Sequence, residues 1–136
     1  MRSIFIYLYS SKRFSMFLFV LWTLFILYAC FMPPSDVPKV KIPYLDKVVH
    51  FILFANFSFL GLCMSRQYSR YSKLLFWLLA TFLGALIEII QASNWVKGRS
   101  FEWEDILADS FGGLIGILMF SLFYSLSKSK IHFNRL

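Results

Sequence analysis

Four uninterrupted apolar runs constrain this chain more than any other feature: residues 14–31, 48–64, 74–90 and 106–126. Together they take up more than half of the 136 residues. The hydrocarbon slab of a bilayer needs about 20 apolar residues and tolerates about 17 to 25. A single soluble core of this size has no room for four such runs. The charged share is 15%, whereas soluble domains run near about 25%. Composition therefore excludes a soluble globular enzyme, a disordered chain and a disulfide scaffold. The 17 phenylalanines do not argue for a membrane β-barrel, whose strands are about 10 residues of alternating polarity. Inside lipid a backbone must satisfy its own hydrogen bonds, so each run is predicted to be a helix. The expected fold is an all-α integral membrane protein, a four-transmembrane-helix bundle in one domain over residues 1–136.

Basic residues set the expected orientation. Arg2, Lys12, Arg13, Arg66, Arg70, Lys73, Lys128, Lys130 and Arg135 flank one side of the spans; Lys39, Lys41, Lys47, Lys97 and Arg99 flank the other. The richer side faces the cytoplasm, which predicts an N-in/C-in protein of the bacterial cytoplasmic (inner) membrane. Asp36, Asp46, Glu88, Glu102, Glu104, Asp105 and Asp109 all fall on the opposite half. The net charge of +7 reads as contact with anionic headgroups, and no nucleic-acid partner is expected. The first span ends in Leu27-Tyr28-Ala29-Cys30, a pattern similar to a lipoprotein signal. Its apolar stretch is longer than the usual signal core of about 7 to 15 residues, so an uncleaved anchor is expected. Cys30 and Cys63 sit at far ends of antiparallel neighbours, and no disulfide between them is predicted.

All four prolines lie between Met32 and Pro43. Proline lacks an amide donor and biases its predecessor to extended geometry, so an extended outer strap is expected there. Asp46 follows near the start of the second helix, where it suits both a cap and the helix dipole. The polar loop over residues 65–72 is short, making spans two and three antiparallel neighbours. Trp95 and Trp103 read as interface anchors. Glu102 and Glu104 read as solvated loop charges, and Asn56 as a helix–helix hydrogen bond.

The polar residues of the spans share one depth. Charged groups at the bilayer centre cost about 2.5 to 3.5 kcal/mol each on translocon scales, and those present here sit near the outer ends. Asp46 and His50 enter with span two, Glu88 and Gln91 leave with span three, Asp105 and Asp109 enter with span four, and Arg99 lies in the loop between. Each pair is three or four residues apart and so shares a helix face. The Glu88 face continues inward through Gly84 and Thr81. The Asp109 face continues through Gly112, Gly113 and Gly116. Small residues let helix backbones approach closely in lipid. The expectation is a polar pocket under the outer surface, floored by glycine-mediated packing. The bland alternatives are caps at Asp46 and Asp105, an interfacial His50, and snorkelling of Lys47 and Arg99. Glu88, within Leu86-Ile87-Glu88-Ile89-Ile90, resists such a reading, because an intramembrane carboxylate is a functional hypothesis by default.

Four segments together carry a resemblance: Asp46-Lys47-Val48-Val49-His50-Phe51, Glu88-Ile89-Ile90-Gln91, Gly98-Arg99-Ser100 with Trp103 and Asp105, and Ile106-Leu107-Ala108-Asp109-Ser110-Phe111-Gly112-Gly113. In this order, over roughly residues 40 to 120, the chain resembles the VanZ-like family of small bacterial membrane proteins. The resemblance implies a helical bundle and a role in the cell envelope. The family's named member is linked to low-level antibiotic resistance, to the glycopeptide teicoplanin, and most relatives have no settled biochemistry. The family usually carries Asn where this chain has Asp109. The extra carboxylate raises local negative charge and favours a cation or a protonated acid.

Three functional readings follow. In the first, the pocket recognises an envelope lipid or glycopeptide-type ligand: Arg99, Lys47 and His50 contact phosphate or carboxylate, while Glu88, Gln91, Asp105 and Asp109 hold the basic groups and bond sugar or amide groups. Arginine suits such bidentate contacts. In the second, His50 and the carboxylates act as base, acid and orienter on a lipid-linked envelope intermediate, or His50, Glu88 and Asp109 make an oxygen-rich metal set that is not diagnostic. No His-Glu-x-x-His, serine elbow or P-loop is present, so no catalytic residue, cofactor or metal is assigned. In the third, the chain is a small proton-coupled exporter. Membrane lipids are the expected partners in all three.

Overall fold

The computed structural model describes residues 2–33, 43–93 and 99–133. Five helices run in order: α1 (Arg2–Ser10), α2 (Lys12–Phe31), α3 (Leu45–Ser65), α4 (Arg70–Ala92) and α5 (Trp103–Phe133). No strand occurs among the described residues. Segments Lys12–Phe31, Leu45–Ser65, Arg70–Ala92 and Trp103–Lys128 are each long and apolar enough to cross a membrane. The chain is thus a multi-pass helical membrane protein. The proline strap over residues 34–42, Trp95, Gly98 and the last three residues lie outside the described residues.

Local chemistry explains the helix ends. Met32 closes α2 in an extended conformation (φ −63°, ψ 132°), as the residue before Pro33 should. Arg66 ends α3 in the left-handed region (φ 55°) with its N–H donating to the Leu62 carbonyl at 3.2 Å. Ser69 begins α4 by accepting the Ser72 N–H on its hydroxyl at 3.0 Å, which satisfies one of the orphan donors of a helix start. Only Gln67 and Tyr68 lie between these caps, which forces α3 and α4 antiparallel. Asp46 lies in the first turn of α3, but Tyr44 is the capping position, left-handed (φ 59°) and without a side-chain cap bond.

The four expected spans are present, and among the described residues a fifth, short helix precedes them. Residues 2–10 form a helix of their own because Phe5, Leu8 and Tyr9 recur at helical spacing and all three are buried. Phe5 meets Phe120 edge-on at 5.7 Å, and the Tyr9 hydroxyl donates to the Arg66 carbonyl at 2.8 Å. The Ser15 hydroxyl donates to the Leu8 carbonyl, tying the start of α2 back to α1. This end of the bundle is closed by aromatic packing: Phe5, Tyr9, Phe76 and Phe120 surround Leu62 and Cys63. A second apolar cluster, built on Ile26, Cys30, Leu53, Phe54, Phe57, Ala80 and Ile87, fills the middle and the opposite end. Cys30 and Cys63 are free and buried.

Large apolar side chains cover the outside. Phe82, Leu118, Leu122 and Leu24 are among the most exposed residues of the protein, the arrangement expected when lipid is the solvent. Helix α5 lies most intimately against α3. A Cβ at Gly112 would come within 2.3 Å of the Phe51 carbonyl oxygen, and one at Gly116 within 2.0 Å of the Ala55 carbonyl oxygen. Backbone therefore meets backbone along this seam, and that contact brings the polar ends of α3 and α5 into register. Asn56 does not cross between helices as expected: its amide donates to Ile52 in its own helix at 2.9 Å, because its position points away from that seam.

Candidate functional site

At one end of the bundle, the starts of α3 and α5 and the last turns of α4 hold a layer of polar side chains above the glycine seam. His50 is on the second turn of α3 and Asp109 on the second turn of α5. His50 Nδ1 and Asp109 Oδ1 are 3.0 Å apart, with the carboxylate fully buried and the imidazole nearly so. Such a bond fixes the ring's orientation and leaves Nε2 as its second working nitrogen. The backbone of Gly84 in α4 presses against this pair: a Cβ there would sit 2.2 Å from Asp109 Oδ2.

Glu88 is also fully buried. Its Oε2 accepts the backbone N–H of Glu102 at 2.8 Å, while Oε1 has no hydrogen-bond partner among the described residues. That bond holds the chain entering α5 against α4. Nearby, Lys47 gathers three carboxylates: Asp46 at 2.7 Å, Asp105 at 2.9 Å, and Glu102. The Asp105 contact is an ion pair without hydrogen-bond geometry at Oδ1, so it leaves that buried oxygen short of a directed partner. One donor atom from each of His50, Glu88 and Asp105 falls within 4.8 Å of the others.

Not every expected residue joins this group. Asp46 shares a helix face with His50 but stays at the rim, its side chain about half accessible and paired with Lys47. Gln91 is buried but touches no carboxylate: its amide donates to the Cys30 carbonyl at 2.7 Å, fastening α4 to the last turn of α2. Arg99 forms no ion pair with any described residue. Its Nη2 donates to the Met32 carbonyl at 3.4 Å and its Nε is buried without a partner. Glu102 is the residue that sequence reasoning missed. Read as a solvated loop charge, it bonds Lys47 through its side chain and Glu88 through its backbone. A loop residue belongs to no helical period, so no sequence pattern marked it. Glu104 is exposed, as expected. Trp103 is exposed where α5 begins, a position that suits an interface anchor.

Below the charged layer, uncharged polar groups tie α4 to α5. Trp77 Nε1 and the Thr81 hydroxyl both donate to Ser110 Oγ at 3.1 Å. The Trp22 indole donates to the Leu53 carbonyl at 2.9 Å, joining α2 to α3. These bonds hold the helices at fixed heights, so the charged residues meet in one layer.

A multi-pass helical bundle with a buried acid-and-base layer at one end is the class that fold and site define. The VanZ/LLP1 family model matches residues 5–124, and the chain belongs to that family. Comparison with curated proteins and with solved structures gives no match.

Proposed function

We propose that this protein is an envelope recognition protein of the bacterial cytoplasmic membrane, oriented N-in/C-in, whose outer-leaflet pocket takes the anionic headgroup of an envelope lipid or lipid-linked envelope intermediate. The observation that carries this reading is the state of the three basic side chains. Lys47 is engaged by Asp46, Glu102 and Asp105, and His50 by Asp109. Among the described residues Arg99 has no carboxylate partner; it is half-buried, with an orphaned Nε. A guanidinium held this way offers a planar fork to phosphate or carboxylate. Membership of the VanZ/LLP1 family supports an envelope role, and altered response to glycopeptides such as teicoplanin is the phenotype that a captured envelope lipid would produce.

The test is direct. Wild-type protein extracted with its surrounding lipid is expected to carry a distinct phosphate-bearing lipid by mass spectrometry. Arg99→Ala loses it, and Arg99→Lys keeps only part of it, because an ammonium lacks the bidentate fork. Identical lipid sets in wild type and Arg99→Ala would reject the reading.

The His50–Asp109 pair favours one second reading, a membrane-embedded enzyme that modifies such a lipid. A histidine oriented by a buried carboxylate is a recurrent general-base arrangement. In that case membranes containing the protein accumulate a modified lipid, and His50→Ala membranes do not. A proton-coupled exporter fits less well: the ionisable layer sits at one end of the bundle, and aromatic packing around Phe5, Tyr9 and Phe120 closes the other.

A further inference from the structure

We infer that His50, Glu88 and Asp105 form a site for a single divalent cation of the Mn²⁺ or Zn²⁺ type, with Asp109 orienting the histidine. This goes beyond lipid recognition and does not rest on it, since Arg99 takes no part.

The geometry comes first. One donor atom from each of the three residues lies within 4.8 Å of the other two, so a small closing of the side chains brings all three to the distance of about 2.0 to 2.2 Å that a zinc-sized ion requires. All three residues are buried, and each comes from a different helix: α3, α4 and α5. A second observation points to a ligand independently of the clustering. Glu88 is 0% exposed, and its Oε1 has no partner although its Oε2 is satisfied by the Glu102 N–H. A buried carboxylate oxygen left without a partner is costly, and a cation in the pocket removes that cost.

The surroundings match a metal site in another respect. A metal-binding histidine nearly always donates its other ring N–H to a carboxylate or carbonyl, which fixes its tautomer and raises its basicity. With Nε2 as the metal ligand His50 has that arrangement, its Nδ1 lying 3.0 Å from Asp109 Oδ1. Charge points the same way. Among the described residues, Asp46, Glu88, Glu102, Asp105 and Asp109 lie in or beside this layer against Lys47 and, further off, Arg99. The unbalanced negative charge in a low-dielectric site draws a cation. One imidazole with two carboxylates suits Mn²⁺ or Zn²⁺ better than Mg²⁺ or Ca²⁺, which take all-oxygen sets. Three protein ligands leave positions open for a water or a ligand oxygen.

The experiment uses the full chain in detergent or nanodiscs, stripped with chelator, then equilibrated with MnCl₂ or ZnCl₂ alone and desalted. Elemental analysis is expected to find about one equivalent of at least one of the two ions per chain. Bound Mn²⁺ is expected to show imidazole nitrogen coupling by pulsed electron paramagnetic resonance. Glu88→Gln is expected to weaken retention by at least about 10- to 100-fold, the range that changes around the ligands alone can reach. Glu104→Gln, whose side chain is exposed, binds like wild type. Should Glu88→Gln fail to fold, the wild-type nitrogen coupling decides by itself. Neither ion retained by wild type, or bound Mn²⁺ without nitrogen coupling, would overturn the inference. So would loss of binding in Glu102→Gln with full binding in Glu88→Gln, which would move the ion to the exposed Asp46–Glu102–Asp105 rim.

Discussion

Gly116→Ala is expected to loosen the whole bundle. The added methyl would lie 2.0 Å from the Ala55 carbonyl oxygen and 2.9 Å from its carbonyl carbon. These are backbone atoms inside a regular helix, so no side chain can swing aside and α3 must move away from α5. Overpacking of this kind costs about 1 to 3 kcal/mol and sometimes more, and here it strikes the seam on which the largest interhelical contact depends. Gly112→Ala is expected to behave similarly, meeting the Phe51 carbonyl oxygen at 2.3 Å. Gly113→Ala is expected to be milder, since its closest neighbours are the Ala80 Cβ at 3.0 Å and the Ser58 hydroxyl at 3.2 Å. The protein contains its own reporters. Cys30 and Cys63 are buried in separate apolar clusters, so a fluorogenic maleimide follows unfolding in detergent as each thiol becomes reachable. The melting order should be wild type, then Gly113→Ala, then the other two. A Gly116→Ala protein that melts with the wild type would mean that α3 and α5 do not touch as described.

Gly84→Ala is expected to damage the site more than the fold. Its Cβ would meet Asp109 at Oδ2, Cβ and Cγ, at 2.2, 2.9 and 2.9 Å. The carboxylate can turn away only by releasing His50, and the Asp109 Cβ can retreat only if α5 shifts. Stability should fall by about 1 to 3 kcal/mol. Divalent-ion retention should fall by about 10- to 100-fold, because the histidine loses the partner that orients it. Measuring both on one preparation separates the effects: a variant that melts lower yet retains the ion like wild type would show that the His50–Asp109 bond does not matter to the site.

The contrast between Asp46 and His50 shows how far residue spacing reaches. They are four apart and share a helix face, yet one is buried against Asp109 and the other stands at an exposed rim paired with Lys47. Periodicity specifies direction around a helix axis, but burial also depends on how far the neighbouring helices extend, which spacing within one helix does not encode. Gln91 teaches the same lesson about partners. Its face was legible, but its bond to the Cys30 carbonyl depends on where α2 ends. Glu102 was illegible because a loop residue has no period, and its role comes from the chain turning into α5 beside Glu88. Helix α1 was overlooked for a different reason: nine residues are too few to signal a span, although Phe5, Leu8 and Tyr9 carried the helical spacing all along.

What the sequence determined alone is the number of long apolar helices, their approximate limits and the end of the bundle at which ionisable residues gather. Lipid acts on each residue through its own transfer free energy, so a run of apolar side chains declares a span without any knowledge of its neighbours. Tertiary structure decided which of those ionisable residues meet. Pairing His50 with Asp109, leaving Glu88 Oε1 unpartnered and setting Arg99 apart from every described carboxylate all depend on helix heights and separations. Those distances are set by glycines packed against carbonyl groups of another helix, a contact between residues far apart in the chain that no local pattern encodes.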